Sequence, residues 1–275
     1  MTQLRVAAAQ LECIHGDVDK NIARMHEVMR MAASDHDVVL FPEAYVMGFA
    51  DEDQVRAMAE PLNGPIVQEL QRLARIYDTY LVAGMAERLE QQIYNTSVVL
   101  GPNGLSWVYR KIHLWRNERW MSPGSTMCRG SIQDIPVGLM ICYDVEFPET
   151  ARTAALLGSQ LVLLTNGNMA PYGPVHRTAI RARAQENQIF LVSANLVGTS
   201  GSMRFVGESC VASPYGDILA ALDHDDEGLL SADLDICQVT QSRKDYNYLE
   251  ERRIRWPGAT HTEGPHTECW TFNQE

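Results

Sequence analysis

The chain has 275 residues, 45% of them hydrophobic and 21% charged, which places it among folded globular proteins and excludes the charge-rich, apolar-poor signature of disorder. At about 100–200 residues per domain, the length suits one large α/β domain or two small ones. Lys+Arg 23 against Asp+Glu 35 leaves a formal net charge of −12 with no long basic run, so nucleic acid is not an expected partner.

The opening stretch, Met1 to Gln10, lacks the basic region followed by an apolar run that a secretory signal requires. No apolar run approaches the roughly 18 residues of a membrane span, so no membrane partner and a cytoplasmic location are expected. The cysteines, Cys13, Cys128, Cys142, Cys210, Cys237 and Cys269, show no paired spacing, which argues for free thiols rather than a disulfide framework.

Leu4 to Leu11 reads as a buried strand, and Asp17 or Asp19 caps a helix carrying Ile22, Met25, Met29 and Ala32 at helical spacing. Val38 to Phe41 is a short core strand closed by Pro42, with Glu43 directly after it. Pro65 opens a second amphipathic helix through Ile66, Leu70, Leu73 and Tyr77. Strands follow at Tyr80 to Ala86, Tyr94 to Leu100 and Leu105 to Tyr109, the last two joined by a Gly101-Pro-Asn-Gly104 hairpin, with Lys111 just beyond. Val137 to Ile141 is another core strand, ending in Cys142, and Pro148 starts a helix reaching about Leu157. Strands at Leu161 to Leu164 and Ile189 to Ala194 enclose a helix at Val175 to Asn187; strands near Gly207 to Ser213, Ile218 to Ala221 and Leu229 to Leu234 follow. Strand pairs alternate with helix pairs on both sides of the midpoint and no linker divides them, so a single domain over 1–275 is expected, with two facing sheets under outer helix layers. From Thr240 the chain is polar and aromatic without a core period; residues 240–275 are expected to form a tail packing at a subunit interface of a homo-oligomer.

Glu43, Lys111 and Cys142 each follow an apolar strand, and strand C-termini are where α/β folds build pockets. A thiol with a nearby base and a nearby cation is the minimum set for attack on a carbonyl-like carbon. The strand-to-turn-to-helix setting of Cys142 follows the logic of a nucleophile elbow and makes the Tyr143 amide the obvious oxyanion donor. Taken one at a time, Cys142 also reads as a small buried hydrophobe, Lys111 as a solvated lysine and Glu43 as a helix cap. Phe49, Trp115 and Asn168, beside these strand ends, are pocket candidates.

Together the motifs resemble those of the nitrilase superfamily, the carbon-nitrogen hydrolases. The resemblance rests on Phe41-Pro-Glu43-Ala-Tyr-Val-Met-Gly48-Phe49, Tyr109-Arg-Lys111-Ile-His-Leu114, and Gly138-Leu-Met-Ile-Cys142-Tyr-Asp144 with Phe147-Pro-Glu149 behind it. Ala182 to Asn187, Ser213 to Asp217 and Tyr248 to Arg253 resemble further family segments. The resemblance implies a four-layer α-β-β-α sandwich, usually dimerised. It implies Glu43 as general base, Lys111 as oxyanion stabiliser, Cys142 as nucleophile and the Tyr143 amide as second oxyanion donor. It also points to Glu118, ahead of Pro123-Gly124 at a slightly shorter spacing than the family's, as a second glutamate orienting the substrate; a surface ion pair with Arg116 or Arg119 is its alternative.

The sequence after the cysteine looks more like amidase branches than nitrile-hydrolysing ones. Close relatives with Arg in place of Glu146 often act on amides of dicarboxylates, and an acidic residue there repels a second carboxylate. The expected reaction is therefore hydrolysis of a small neutral or amine-bearing carboxamide to carboxylate and ammonia through a thioester. The alternatives are an N-carbamoyl amine or amino-acid amidohydrolase, then a nitrilase or omega-amidase, and outside enzymes a catalytically silent scaffold. His261, His266 and Cys269 fit no zinc spacing well, and no phosphate or dinucleotide loop is present, so neither metal nor cofactor is expected.

Overall fold

A computed structural model describes residues 3–255, 258–264 and 266–272. In the first sheet the strands run Leu196–Val197, Gln3–Glu12, Val38–Leu40, Tyr80–Leu89, Gln92–Gly101 and Gly104–Arg110, with Gly228–Asp235 antiparallel to Gln3–Glu12. Val38–Leu40 pairs in parallel with both neighbours, Gln3–Glu12 and Tyr80–Leu89. A parallel strand is covered on both faces, which explains its unbroken apolar run. Side chains alternate across it: Val38 and Leu40 enter the core facing the second sheet, whereas Val39 and Phe41 pack with Met25 and Met29 of helix Val18–Ala32 and Leu70 and Leu73 of helix Pro65–Ile76. Asp17 caps the first of these helices, its side chain accepting from the Lys20 N–H at 3.1 Å. Pro65 sits in the first turn of the second, where its missing N–H is harmless.

The second sheet orders Ile218–Ala221, Cys210–Ala212, Phe190–Ala194, Leu161–Thr165, Ile135–Ile141, Thr126–Ile132, Thr267–Phe272 and Gly258–Glu263. Its inner face meets the first sheet in one core, and Ala151, Ala154, Ile180 and Ala184 of helices Pro148–Leu156 and Gly173–Asn187 cover its outer face. The layers are thus helix, sheet, sheet, helix.

Several elements depart from the sequence reading, among them the helix Glu52–Met58. Thr126–Ile132 forms a strand, and the stretch expected to lack a core period forms the hairpin Gly258–Glu263 and Thr267–Phe272, which extends the second sheet through pairing with Thr126–Ile132. The inward members of the hairpin, Thr267 and Cys269, are buried, while every residue of Gly258–Glu263 is exposed. Residues 256, 257, 265 and 273–275 of the expected tail lie outside the described residues. Among those described, no helix is long and apolar enough to cross a membrane.

Strand direction decides where the chemistry collects. Val38–Leu40 carries Glu43 past its carboxyl end. Gly104–Arg110 runs in the same sense as Tyr80–Leu89, because two successive antiparallel pairings restore direction, and so delivers Lys111 to that end as well. In the facing sheet the parallel strands Ile135–Ile141 and Leu161–Thr165 deliver Cys142 and the Asn166-Gly167-Asn168 segment.

Candidate active site

Lys111 is the centre of the site. Its Nζ donates to Glu43 Oε1 and to Glu118 Oε2, each at 2.6 Å, and both Lys111 and Glu43 are 1% exposed. The Asn95 amide donates to the same two carboxylates, at 2.8 Å to Glu43 Oε1 and 2.6 Å to Glu118 Oε1. Two buried glutamates are therefore held together by one ammonium and one amide, which answers the repulsion and desolvation that would otherwise expel them. Glu118 lies on the short helical turn Arg116–Glu118 and closes it by accepting the Trp115 N–H at 2.9 Å. It pairs with Lys111 rather than with Arg116 or Arg119.

Cys142 lines the same pocket as Glu43, Lys111 and Gly167, close enough that the charges of Glu43 and Lys111 act on its thiol. Cys142 has φ +42°, the left-handed region that side chains avoid, as a tight strand-to-helix turn demands. Tyr143 follows as an early residue of the turn Cys142–Glu146, where a main-chain N–H has no preceding intrahelical acceptor.

Burial pushes the Cys142 thiol well above its ordinary range, reinforced by the negative charge of Glu43, so the resting sulfur carries its proton. Burial also pushes Glu43 up against the opposing pull of Lys111. For Lys111, burial acts to lower its pKa, but Glu118 and Glu43 outweigh it and hold the ammonium well above its usual range. The arrangement is a protonated thiol beside a carboxyl group of raised proton affinity and a buried ammonium.

Four supports escaped the sequence reading, Asn95 and three more. Asp144 is fully buried; it accepts from the Tyr109 hydroxyl at 2.8 Å and from His113 through both main-chain N–H and ring, at 3.0 and 2.8 Å, tying the Lys111 loop to the Cys142 turn. Gly167 leaves room for the Glu43 carboxylate: a Cβ there would sit 2.6 Å from Glu43 Oε2. Gly124 does the same for Lys111, since its N–H donates to the Lys111 carbonyl at 2.8 Å and a Cβ would meet the Arg110 carbonyl oxygen at 2.2 Å. The Asn95 signal was hidden in an apolar strand pattern. The two glycines were visible beside quoted motifs, but only packing shows what they admit.

A small pocket opens over these groups. Glu43, Lys111, Glu118, Cys142 and Tyr143 all line it, as do the sequence candidates Phe49, Trp115, Glu146 and Asn168. Sequence reasoning missed His176, Tyr172, Met169, Met203 and Asn117 on its walls. Trp115 meets Tyr143 and Tyr172 edge-on, with ring centroids 4.9 and 5.4 Å apart. Away from this pocket, Cys128, Glu263 and Cys269 bring ligand atoms within 4.8 Å of one another on the inner face of the tail hairpin, a group able to hold a metal that sequence spacing did not show; His261 and His266 are not in it.

The family model for carbon-nitrogen hydrolases matches residues 5–244. An (R)-stereoselective amidase from Pseudomonas sp. is 42% identical over 264 residues, covering 95% of this chain and 96% of that protein. Nit3 of Saccharomyces cerevisiae, a member of branch 10 of the nitrilase superfamily, superposes with a TM-score of 0.85 at 27% identity, over 92% of this chain and 97% of that one. A mutant of the amidase from Nesterenkonia sp. AN1, solved in complex with butyramide, gives a TM-score of 0.78 at 27% identity, over 91% of this chain and 94% of that one. A further mutant of that amidase shows covalent addition of the acetamide moiety of fluoroacetamide at its active-site cysteine. With the sandwich, the three strand-end motifs and a family match over most of its length, the chain belongs to the carbon-nitrogen hydrolase family.

Proposed function

We propose that this carbon-nitrogen hydrolase is a cysteine-dependent amidase that converts a small neutral or amine-bearing carboxamide to carboxylate and ammonia. The observation that carries the reading is the contact of one buried ammonium, Lys111, with two buried carboxylates, Glu43 and Glu118, in the pocket that the Cys142 thiol also lines. Similarity to the Pseudomonas amidase supports the amide rather than the nitrile branch.

Glu43 takes the thiol proton as sulfur attacks the amide carbon, so no free thiolate accumulates in the dry pocket. The oxyanion that forms is stabilised by the Lys111 ammonium and the Tyr143 N–H, charges and dipoles in place before reaction. Glu43 returns the proton to the leaving nitrogen, the C–N bond breaks and ammonia departs, leaving a thioester. Glu43 then removes a proton from water, which adds to the thioester carbon; collapse releases the carboxylic acid and restores the thiol. Glu118 keeps Lys111 and, through Asn95, Glu43 in register. Phe49, Trp115 and Asn168 bound the acyl group.

The exposed edge strand Gly258–Glu263 supports a homodimer or larger assembly, because an unpaired sheet edge is a template for pairing. Light scattering in solution tests it. The catalytic reading is tested by ammonia release from aliphatic amides, amino-acid amides, dicarboxylic monoamides, ureido compounds and nitriles, with Cys142→Ala as the blank. Amide turnover lost in that variant is expected; release of carbon dioxide with ammonia from ureido compounds alone, or no turnover in any class, would overturn the proposal.

A further inference from the structure

Three carboxylates line the pocket against one ammonium, and two of the three are engaged by it. The third, Glu146, has no Lys or Arg partner among the described residues: Arg183 lies close, but its guanidinium donates to the main-chain carbonyls of Val145 and Glu146 and to the Glu186 carboxylate. The partner of the Glu146 carboxylate is His176, whose Nε2 lies 3.2 Å from Glu146 Oε1, with the His176 side chain 5% and the Glu146 side chain 26% exposed. A carboxylate oxygen accepts, so Nε2 presents its N–H to Glu146 and leaves Nδ1 as the ring's other nitrogen. That Nδ1 is buried without a hydrogen-bond partner, alone in this among the side-chain atoms of the described pocket lining. A carboxylate with no Lys or Arg partner and a buried ring nitrogen with no hydrogen-bond partner thus adjoin a wall built from Trp115, Tyr143 and Tyr172, whose ring faces attract cations.

We infer that Glu146, held in place by His176, is a subsite for a protonated amine on the substrate, so that the preferred substrates are amides of amino acids rather than plain aliphatic amides. The inference rests on the amidase reading and narrows its substrate class. An ammonium entering this corner gains a counter-charge and carboxylate oxygens that accept its N–H groups, while a second carboxylate meets repulsion. It also has a stereochemical consequence. With the acyl carbon fixed at Cys142 and the amine at Glu146, the other two substituents on the intervening carbon face different walls, so enantiomers are separated. Glu146 acts here as a specificity residue and His176 as a positioning residue.

The test uses an isosteric pair, alaninamide and isobutyramide, which differ by an amine for a methyl. At pH 7 an α-amine of pKa about 7.7–8.0 is mainly protonated. The wild-type enzyme is expected to favour one enantiomer of alaninamide over isobutyramide by at least tenfold in kcat/KM. Glu146→Gln is expected to collapse both that ratio and the enantiomer ratio toward one. His176→Gln is expected to raise KM for alaninamide more than it lowers kcat. Equal loss on both amides in Glu146→Gln, or a wild-type preference for isobutyramide, would overturn the subsite while leaving the amidase reading intact. Ammonia release from neither amide would overturn both.

Discussion

Asp144→Asn is the sharpest probe of how the site is assembled. The wild-type carboxylate is fully buried and accepts four hydrogen bonds: Oδ2 takes the Tyr109 hydroxyl at 2.8 Å and the Ile141 N–H at 3.2 Å, and Oδ1 takes the His113 N–H at 3.0 Å and its ring Nδ1 at 2.8 Å. Asparagine cannot serve all four. If its NH₂ replaces Oδ2, the tyrosine hydroxyl can turn to accept, but the Ile141 N–H is stranded. If it replaces Oδ1, the imidazole can change tautomer, but the His113 main-chain N–H is stranded. Either way one buried donor is orphaned, costing about 1–3 kcal/mol, and the bonds still accepted lose their charge assistance, roughly 1 kcal/mol each. The expected destabilisation is about 3–5 kcal/mol, read as a lower urea midpoint with an unchanged slope. Because Asp144 couples the loop bearing Lys111 to the turn bearing Cys142, kcat is expected to fall at temperatures where the variant is fully folded. A loss below about 1 kcal/mol with wild-type kcat would refute the argument that this carboxylate joins the two halves of the site.

Glu43→Gln removes the proton acceptor while preserving shape, and kcat is expected to fall by about 10²–10⁴ with the protein still folded; near-normal turnover would assign the base elsewhere. Because burial raises the Glu43 pKa, its basic form is lost at a higher pH than an ordinary glutamate's as the solution is acidified. The acid limb of kcat/KM is therefore expected above the usual carboxylate range and is expected to vanish from the residual profile of that variant. Gly167→Ala places a methyl 2.6 Å from Glu43 Oε2 and 2.7 Å from Phe49 Cζ, so kcat/KM should fall at least tenfold; wild-type rates would show that the base can give way. The positive charge at the site comes from Lys111, so activity in excess EDTA is expected to match that without it, whatever the fate of the Cys128, Glu263 and Cys269 group.

Much of the architecture was legible because strand and helix periods are local. Val38 to Phe41, closed by Pro42, could only be a core strand, and its side chains do alternate between the two cores. The tail was not legible. The strand Gly258–Glu263 is exposed along its whole length, so it carries no apolar alternation, and Thr267–Phe272 buries its Cys269 only because Cys128 lies opposite. The Glu43, Lys111 and Cys142 motifs were readable as ordered strand-end residues. Asn95, Asp144 and His176 were not, since polar residues in or beside apolar elements look alike until their partners are known.

What the sequence alone determined was the set of reactive groups and the ends of strands from which they project, because pleat, helix period and proline stops act over a few residues. Which of those groups touch was decided by the tertiary structure. Two separate sheets had to meet so that a lysine from one strand could neutralise glutamates from two other segments in the pocket that a sulfur from the opposite sheet also lines. Electrostatics in a buried pocket depends on distances of a few ångströms, and no local pattern encodes them.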